Sequence, residues 1–336
     1  MSDLAFERAA YVLASDFMPT DGSTDVADLL QKVIDEHPNR TIFLPDGTYL
    51  LSHPVLTPAN PKTSVELRLA RYAVLKAAEN WDSEEAMIRL GAKDPANDIC
   101  TVGSYYTFSG GVIDGSGVAS GISIDGGRES GIRDVSIKHT QIGLHIKYGA
   151  NSGSSDDDIF NVNIVGNGKP DSIGVLVEGF DNTLTNMRIA RVHDGVVLRS
   201  AGNSMRNLHP LYTCDYTDYE NACGFRDEIG NNWYDFCYND QFATGFYFGE
   251  GALSIMQNCF SMWYSPRGCC QNVVKCKGVF RSAFENLRVG FHNDSDPACN
   301  SVLLAGKDGG DGFFRRPVFD PARIKEDDLF YRHIVK

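Results

Sequence analysis

The chain has 336 residues, of which 42% are hydrophobic and 22% are charged, and this balance excludes a largely disordered polypeptide. Lys and Arg number 31 against 44 Asp and Glu, so the formal net charge is −13, which argues against nucleic acid or an anionic membrane as the main partner. No apolar run reaches the ~18 residues of a membrane helix.

The first elements along the chain are a helix and two strands. Apolar residues at helical spacing predict an amphipathic helix over 24–36, with Ser23 or Thr24 as its N-cap. Strands are predicted at 41–44 and 48–51, on either side of the turn at Pro45-Asp46-Gly47.

Two features of the chain bear on its compartment. The N-terminus lacks the basic start and long apolar stretch of a signal peptide, so we expect a cytoplasmic protein, or a secreted one if a leader has been removed. The cysteines number nine and show no paired metal-binding spacing, so we expect mostly buried, reduced thiols.

From about residue 105 a short pattern recurs, in which an apolar strand carrying Asn or Asp is followed by a loop and a Gly-led apolar strand. The Asn or Asp positions, 21 to 28 residues apart, are Asp134, Asn161, Asn186, Asn207, Asp235, Asn258 and Asn286. A period of this length with strands and no helix predicts a β-solenoid with one coil per repeat. The recurring amides and carboxylates would then form a structural ladder from turn to turn.

Alternation along the strands predicts which side chains face outward. The second outward row on the Gly-led strands is predicted to be an ion-pair column of Asp125, Lys147, Glu178, Arg199, Glu228 and Lys277. Asp227 falls on the inward row, where a carboxylate needs partners or a raised pKa. We therefore expect either that Asp227 is hydrogen-bonded inside the coil or that the register slips there, with a catalytic role as the lesser alternative.

The opening segments carry a family resemblance. Residues 15–31, with Asp21-Gly22 and the Leu29-Leu30-Gln31 end, and then Thr41-Ile-Phe-Leu-Pro-Asp-Gly-Thr-Tyr, resemble the start of the pectate-lyase-like superfamily. The resemblance implies a right-handed single-stranded parallel β-helix of the all-β class with an N-terminal capping helix. It implies one domain over 1–336, with a cap at 1–40, coils at 41–306 and a tail at 307–336.

The reaction does not follow from this resemblance. The superfamily contains lyases, hydrolases, epimerases, esterases and phage tailspikes, and the signature motifs of its polygalacturonase and pectate lyase groups are absent, so no catalytic residue is transferred. Candidate functional residues must therefore come from the predicted outward rows of side chains.

The coils around 186–267 carry the candidate functional residues. One predicted outward row contains Arg188, His209, Cys237, Phe260 and Arg288, and the next contains Asn239. A long loop of tyrosines and acids follows, and aromatic rings beside carboxylates suit a carbohydrate. The catalytic candidates are Asp215 and Asp240 as paired acids and His209 as an alternative base. The substrate-binding candidates are Arg188, Arg191, His193, Tyr212, Asp218, Tyr264 and Arg267.

The first expectation is a glycoside hydrolase acting on an oligosaccharide or polysaccharide with paired carboxylates. The alternatives are a polysaccharide lyase working by β-elimination, or a non-catalytic glycan-binding or phage-fibre-like β-helix protein. No cofactor is expected, except that Ca²⁺ could neutralise a uronate carboxylate in a lyase. A homo-trimer is expected, because solenoid sides are flat and many relatives pack side by side.

Overall fold

Short parallel β-strands make up about half of the protein, and the computed structural model describes residues 11–93, 106–148, 154–265, 270–292 and 301–335. Each of two units is a stack of coils of a right-handed parallel β-helix. Unit 1 is Met1–Asn167 with Glu178–Asn182, and unit 2 is Gly168–Val177 with Thr183–Lys336. The expectation of one domain over the whole chain stays a prediction.

Unit 1 contains one α-helix and sixteen strands in its described residues. The helix is α1 (Ala27–Glu36). The strands are β1 (Tyr11–Leu13), β2 (Asp21–Asp25), β3 (Thr41–Leu44), β4 (Gly47–Leu51), β5 (Val55–Pro58), β6 (Glu66–Leu69), β7 (Ala73–Ala77), β8 (Ala86–Lys93), β9 (Thr107–Ser109), β10 (Val112–Asp114), β11 (Ser120–Ile124), β12 (Gly131–Arg133), β13 (Ser136–Thr140), β14 (Ile142–Ile146), β15 (Asp158–Phe160) and β16 (Asn163–Gly166).

Unit 2 contains a further sixteen strands in its described residues. They are β17 (Ile173–Val177), β18 (Thr183–Ala190), β19 (Asp194–Leu198), β20 (Ser204–Leu211), β21 (Cys223–Asp227), β22 (Trp233–Asp235), β23 (Tyr238–Asp240), β24 (Thr244–Phe248), β25 (Ile255–Gln257), β26 (Phe260–Trp263), β27 (Asn272–Val279), β28 (Ala283–Glu285), β29 (Arg288–Phe291), β30 (Val302–Lys307), β31 (Phe313–Arg315) and β32 (Ile334–Val335). Short 3₁₀ turns occur at Ala14–Asp16, Pro61–Thr63, Tyr216–Asn221, Pro321–Arg323 and Leu329–Arg332.

Each unit has three parallel sheets. In unit 2 the first sheet contains β22, β25, β28, β31 and β32, the second contains β23, β26 and β29, and β18 and β20 run through both. The third sheet contains β17, β19, β21, β24, β27 and β30. The pairing of β28 with β31 carries the first sheet beyond residue 306, where the sequence predicted that the coils end.

The inward rows form the cores of the units. In unit 1 a column of apolar side chains at one register position is fully buried, namely Ile42, Leu67, Phe108, Ile132 and Ile159. In unit 2 aromatic rings stack from coil to coil, as Phe225 does on Phe246 with centroids 5.2 Å apart. Burial of each such side chain stabilises the fold by about 1.5–3 kcal/mol.

A glycine recurs as the second residue of the third-sheet strands β11, β14, β17, β19, β21 and β24, where a close approach of two chain segments requires it. A Cβ atom on Gly174 would lie 2.3 Å from Cγ2 of Ile189, and one on Gly195 would lie 2.4 Å from Cβ of Pro210. Both partners lie on the second sheet, so the repeat marks a corner of the coil that has no room for a side chain.

The N-terminal helix is shorter than predicted. It begins at Ala27 because Asp21–Asp25 form β2, so Ser23 and Thr24 are not its N-cap. The N-cap residue is Val26, whose side chain cannot cap, and Oδ1 of Asp25 accepts a hydrogen bond from the backbone N–H of Ala27 at 3.1 Å instead. The strands predicted at 41–44 and 48–51 are confirmed as β3 and β4.

The predicted ladder is present in both units. In unit 1 the Asn161 amide donates to Asp134 at 2.7 Å, and in unit 2 the Asn207 amide donates to Asn186 at 3.1 Å. These residues hold the left-handed backbone conformation, with φ between 54° and 57°, at the bend between the first and second sheets. Asn and Asp tolerate this conformation better than other residues that carry a side chain.

One position of the predicted ladder is wrong by one residue. Asp235 pairs in register with Arg206, so Phe236 takes the place equivalent to Asn207 and has φ 53°. Asp235 still accepts a hydrogen bond from the Asn258 amide at 3.2 Å. The Asn/Asp pattern therefore predicted correctly that Asp235 takes part in the ladder hydrogen bond, but it assigned the left-handed backbone position to the wrong residue.

A second polar ladder lies inside the coils and was not predicted. In unit 2 the backbone N–H of Asn203 donates to the Asn232 side chain at 2.9 Å, and the N–H of Asn232 donates to Ser254 Oγ at 3.1 Å. In unit 1 the N–H of Ser130 donates to Asp157 at 2.8 Å. These buried side chains satisfy turn N–H groups that no strand partner reaches.

Asp227 lies inside unit 2, as the alternation predicted, and the register does not slip there. Its carboxylate accepts hydrogen bonds from the N–H of Gly230, the Asn232 amide and the hydroxyls of Tyr234 and Ser254. Burial raises the pKa of Asp227 despite these bonds. The hydrogen-bonded alternative is therefore the correct one.

The ion-pair column is confirmed at two contacts. Lys147 Nζ lies 3.4 Å from Asp125 in unit 1, and Arg199 Nε lies 3.3 Å from Glu228 in unit 2. The described cysteines are unpaired thiols, as expected, namely Cys214, Cys223, Cys237, Cys259, Cys270 and Cys276. No helix among the described residues is long and apolar enough to span a membrane.

Candidate functional site

A histidine–carboxylate pair lies on the outer surface of the second sheet of unit 2. His209 is in β20 and Asp240 in β23, and Nε2 of His209 lies 3.0 Å from Oδ2 of Asp240. The side chains are 16% and 14% exposed, so their hydrogen bond is partly shielded from water. When Nε2 donates its proton to the carboxylate, Nδ1 keeps its lone pair and can accept a proton from a substrate.

Aromatic rings and arginines continue the outward row that contains His209. Arg188 is its register neighbour on β18, and the imidazole stacks on Tyr238 with centroids 3.7 Å apart and planes 22° apart. Phe260 and Arg288 follow on β26 and β29, with the guanidinium carbon 5.2 Å from the ring centroid. We call these five residues the aromatic row.

The shift at Phe236 decides which residues of β23 belong to this surface. The sequence placed Cys237 and Asn239 outward, and both predictions were wrong, because both residues are fully buried. Tyr238 and Asp240 take those places instead. Alignment of Asp235-Phe-Cys-Tyr238 with Gln257-Asn-Cys-Phe260 would have found this shift from the sequence.

The two carboxylate oxygens of Asp240 differ in their hydrogen bonding. Oδ2 faces His209, whereas Oδ1 is buried without a hydrogen-bond partner among the described residues. A buried carboxylate oxygen without a partner is uncommon, and an ordered water molecule is the usual way to satisfy it.

The loop after β20 folds onto its own apolar cluster. Tyr212 is only 2% exposed and its hydroxyl donates to the Asp215 backbone carbonyl at 2.8 Å, so the expectation of an exposed sugar-stacking ring was wrong. The cluster comprises Tyr212, Tyr219, Ala222, Phe242 and Ala243. Asp215 itself is exposed at the start of the 3₁₀ turn Tyr216–Asn221, and the backbone N–H of Tyr212 donates to the Asp240 carbonyl at 3.0 Å.

His193 and Asp218 meet each other in a separate cluster beside the third sheet. His193 Nε2 lies 3.5 Å from the Asp218 carboxylate, and its Nδ1 lies 3.4 Å from Asp194. Burial alone would lower the pKa of His193, but the two carboxylates raise it above its ordinary value. Asp194 is also held by Arg226 at 3.1 Å, and together with His193 this cation lowers the Asp194 pKa against the effect of burial.

The remaining candidates lie at turns. Arg191 is exposed, with φ 54°, and packs on the turn at Gly168, where a Cβ atom would lie 3.0 Å from Arg191 Nε. Tyr264 is exposed after β26. Arg267 lies outside the described residues.

No group of three or more His, Cys, Asp or Glu side chains converges as a metal site in the part of the chain that the structure describes. The possible Ca²⁺ requirement of a lyase therefore stays a prediction.

Comparisons with known proteins show the fold alone. No protein-family model and no curated protein sequence matches this chain. Among solved structures, ORF18 of Geobacillus virus E2 matches with a TM-score of 0.63 and 15% identity, over 93% of this chain and 62% of that chain. An alginate lyase from a Paenibacillus species matches with a TM-score of 0.56 and 15% identity, over 87% and 97% of the two chains.

A third similar structure is the tailspike protein of E. coli bacteriophage HK620 in complex with a pentasaccharide. Its TM-score is 0.62 at 10% identity, over 95% of this chain and 67% of that chain. This chain thus spans less than two thirds of the Geobacillus virus E2 protein and about two thirds of the tailspike. The predicted parallel β-helix fold is confirmed by these likenesses.

Proposed function

We propose that this protein is a carbohydrate-active β-helix protein that binds a glycan along the aromatic row of unit 2 and cleaves it with His209. The observation that carries the proposal is the His209–Asp240 hydrogen bond at 3.0 Å beside Arg188 and Tyr238 on an outward surface. Neighbouring coils of such a fold are ~4.8 Å apart. This spacing is comparable to the length of one pyranose unit, so successive sugars can meet successive rungs of the row.

Two structural neighbours support the class of ligand. One neighbour is an alginate lyase, and the other is a tailspike in complex with a pentasaccharide. Both share the fold with this chain at low sequence identity, which by itself does not transfer a ligand. The proposal of a glycan ligand therefore also rests on the aromatic row and the His209–Asp240 pair.

The geometry favours β-elimination on a uronate-containing glycan. Asp240 is engaged by His209, which makes it a partner that orients the imidazole, and Arg188 is an exposed cation with no carboxylate partner among the described residues. Arg188 would neutralise the uronate carboxylate and so acidify the adjacent carbon–hydrogen bond.

His209 is the base of the elimination. Nδ1 of His209 takes the proton from the carbon beside the carboxylate, and that electron pair forms a double bond to the next carbon. The glycosidic oxygen leaves that second carbon with its bonding pair and takes a proton from the solvent. Asp240 stabilises the imidazolium that forms.

Hydrolysis is the second candidate, and the exposed carboxylate of Asp215 favours it. Asp215 follows Tyr212, whose backbone is hydrogen-bonded to Asp240, so the two acids lie on adjoining segments. Two carboxyl groups within ~5–9.5 Å of one another could act as the acid and base of a hydrolase.

A glycan screen with two readouts tests the proposal. We expect new reducing ends to appear together with the ultraviolet absorbance of an unsaturated uronate, and both signals should vanish in His209→Ala. Reducing ends without absorbance, lost in Asp215→Asn, would establish hydrolysis instead. Binding without either signal would leave a glycan-binding protein, and a parallel assay with EDTA would test the calcium prediction.

The homo-trimer stays a proposal and has a candidate contact surface. Trp233 is 49% exposed on the first sheet of unit 2, beside its register neighbour Ile255, and Ile229 and Leu253 add exposed apolar area. Contiguous apolar area of this kind favours association. Sedimentation should give a species larger than the 37.0 kDa chain, and Trp233→Ser should shift it toward the monomer. The cytoplasmic location likewise stays a prediction.

A further inference from the structure

An open pocket of about 230 Å³ lies on the third sheet of unit 2, a different sheet from that of the aromatic row. Its lining residues are Glu220, Asn221, Cys223, Arg226, Thr244, Tyr247 and Lys275. Sites for drug-sized ligands usually occupy ~300–1,000 Å³, so this pocket suits a single sugar ring better than a larger molecule.

Tyr247 is held in place on this surface by Arg226. The two residues are register neighbours, and the guanidinium carbon lies 5.1 Å from the ring centroid. Arg226 is itself fixed by two bonds to Asp194, at 3.1 and 3.2 Å, and by one to the Asn221 carbonyl at 3.2 Å. The ring is therefore pre-positioned, which lowers the entropic cost of binding a ligand against it.

Three polar groups of the pocket lack an ion-pair or hydrogen-bond partner in the part of the chain that the structure describes. The Lys275 ammonium and the Glu220 carboxylate have no ion-pair partner there, and the Tyr247 hydroxyl makes no hydrogen bond there. Lys275 is the register neighbour of Tyr247 on β27. One wall therefore offers a cation and a phenol, and the loop wall offers an anion.

We propose that this pocket is a second saccharide-binding site, which holds one pyranose unit against Tyr247 between Lys275 and Glu220. A carboxylate accepts hydrogen bonds from sugar hydroxyls, an ammonium donates to ring and hydroxyl oxygens, and a tyrosine ring contacts the apolar face of the sugar. The inference extends the proposed function, since it takes the same ligand class, but it does not require cleavage at His209.

The experiment measures binding in a background that cannot cleave. His209→Ala protein is titrated calorimetrically with tetragalacturonate and with maltotetraose, alone and combined with Tyr247→Ala, Tyr247→Phe or Lys275→Gln. Tyr247→Ala should weaken one binding event by about tenfold or more, the scale of losing ~1.4 kcal/mol. Tyr247→Phe should weaken it less, because it keeps the ring.

The choice of probes separates an acidic from a neutral sugar. A loss in Lys275→Gln confined to tetragalacturonate would assign the ammonium to a uronate carboxylate, and an equal loss for both probes would assign it to hydroxyls. Matched controls are Lys277→Gln, on the same strand, and Tyr72→Ala, an exposed tyrosine of unit 1. Neither control should change binding.

The two proposals fail in different ways. Binding of either probe that Tyr247→Ala leaves unchanged, or no binding of either probe, overturns the second site. Tyr247-dependent binding in a wild-type protein that cleaves no glycan overturns only the cleavage proposed at His209. Circular dichroism of each variant excludes unfolding as the cause of a loss.

Discussion

Each unit has a histidine hydrogen-bonded to a carboxylate on an outer surface, and their surroundings differ. In unit 1 Nε2 of His145 lies 2.9 Å from Glu178, and in unit 2 Nε2 of His209 lies 3.0 Å from Asp240. The hydrogen bonds are nearly equal in length. The length of the hydrogen bond therefore does not distinguish the two pairs.

The neighbours of the two pairs make the difference. Around His145 the charges are paired with each other, because Lys147 contacts Asp125 at 3.4 Å and Arg89 contacts the same carboxylate at 2.5 Å. His209 instead stacks on Tyr238 beside the exposed Arg188. The pair of unit 1 lies among paired charges, whereas the pair of unit 2 lies beside an exposed cation and aromatic rings, which is why the proposed site is placed there.

The largest expected effect separates the two histidines by activity. His209→Ala should lower kcat by about 100-fold to 10,000-fold, the usual contribution of a general base. His145→Ala should change kcat less than about twofold, which makes it the matched control. Steady-state kinetics on the glycan found by the screen would check this, and equal losses of kcat in both variants would contradict the distinction between the two histidines.

Asp227 provides a third carboxylate, bound by hydrogen bonds alone and fully inside unit 2. Asp227→Ala would strand its donors and should lower the free energy of unfolding by about 3 kcal/mol. Asp227→Asn should cost less, because its amide can donate to the hydroxyls of Tyr234 and Ser254. Urea denaturation would measure both, and equal stability of Asp227→Ala and wild type would contradict the burial argument.

Asp227 should also make the free energy of unfolding depend on pH. Because its folded pKa is raised, its contribution to stability is present below the unfolded value of about 3.9 and is lost as pH rises through the folded pKa. Asp227→Asn has no carboxyl group to titrate at this position, so the stability of the variant relative to wild type should increase as pH rises. A gap that stays constant from about pH 4 to about pH 8 would contradict this.

Arg188 should act mainly through binding. Arg188→Gln should raise KM by about tenfold for a uronate glycan, the scale of losing one charge-assisted hydrogen bond. Arg206→Gln is the control, since Arg206 is exposed on the first sheet and pairs with Asp235 at 3.7 Å. Equal KM values for wild type and Arg188→Gln would remove this cation from the site.

The smallest expected effect is a pH dependence of stability at His145. Burial lowers the pKa of His145 despite its bond to Glu178, so the folded state resists protonation. Stability should therefore fall as pH falls from the unfolded value of about 6.5 toward the folded pKa, and His145→Gln should remove this dependence.

His193 should behave with the opposite sign and serves as the control. The carboxylates of Asp194 and Asp218 raise its pKa although burial opposes them, so its contribution is present below about pH 6.5 and is lost as pH rises through the folded pKa. The urea midpoints of His193→Gln and His145→Gln, each taken relative to wild type at two pH values, should change in opposite directions. Parallel trends would contradict the assigned environments.

Much of the fold could be predicted because the repeat is local and periodic. The steps between the ladder residues, the glycines and the opening motif each report a short stretch of chain, and they indicated the coils, the Gly-led strands and the capping helix. The ion-pair column and the inward position of Asp227 followed from alternation alone, since side chains on a strand point to opposite faces.

Errors arose where a single residue changed the register. Asp235 satisfies the Asn/Asp pattern, yet Phe236 takes the left-handed position, and this shift moves Tyr238 and Asp240 outward and buries Cys237 and Asn239. Because the side-chain period of a strand is two, a slip of one residue inverts every face that follows.

The amino-acid sequence was enough to predict the coil repeat, the class of fold and the coils that carry polar and aromatic groups. The folded structure was needed to show that Tyr212 is buried, that His193 pairs with Asp194 and Asp218, and that His209 contacts Asp240 from the next coil. The physical reason is that each of these contacts depends on how loops of unequal length fold back between coils. Local periodicity fixes the strands, whereas loop packing and exact register fix which side chains meet.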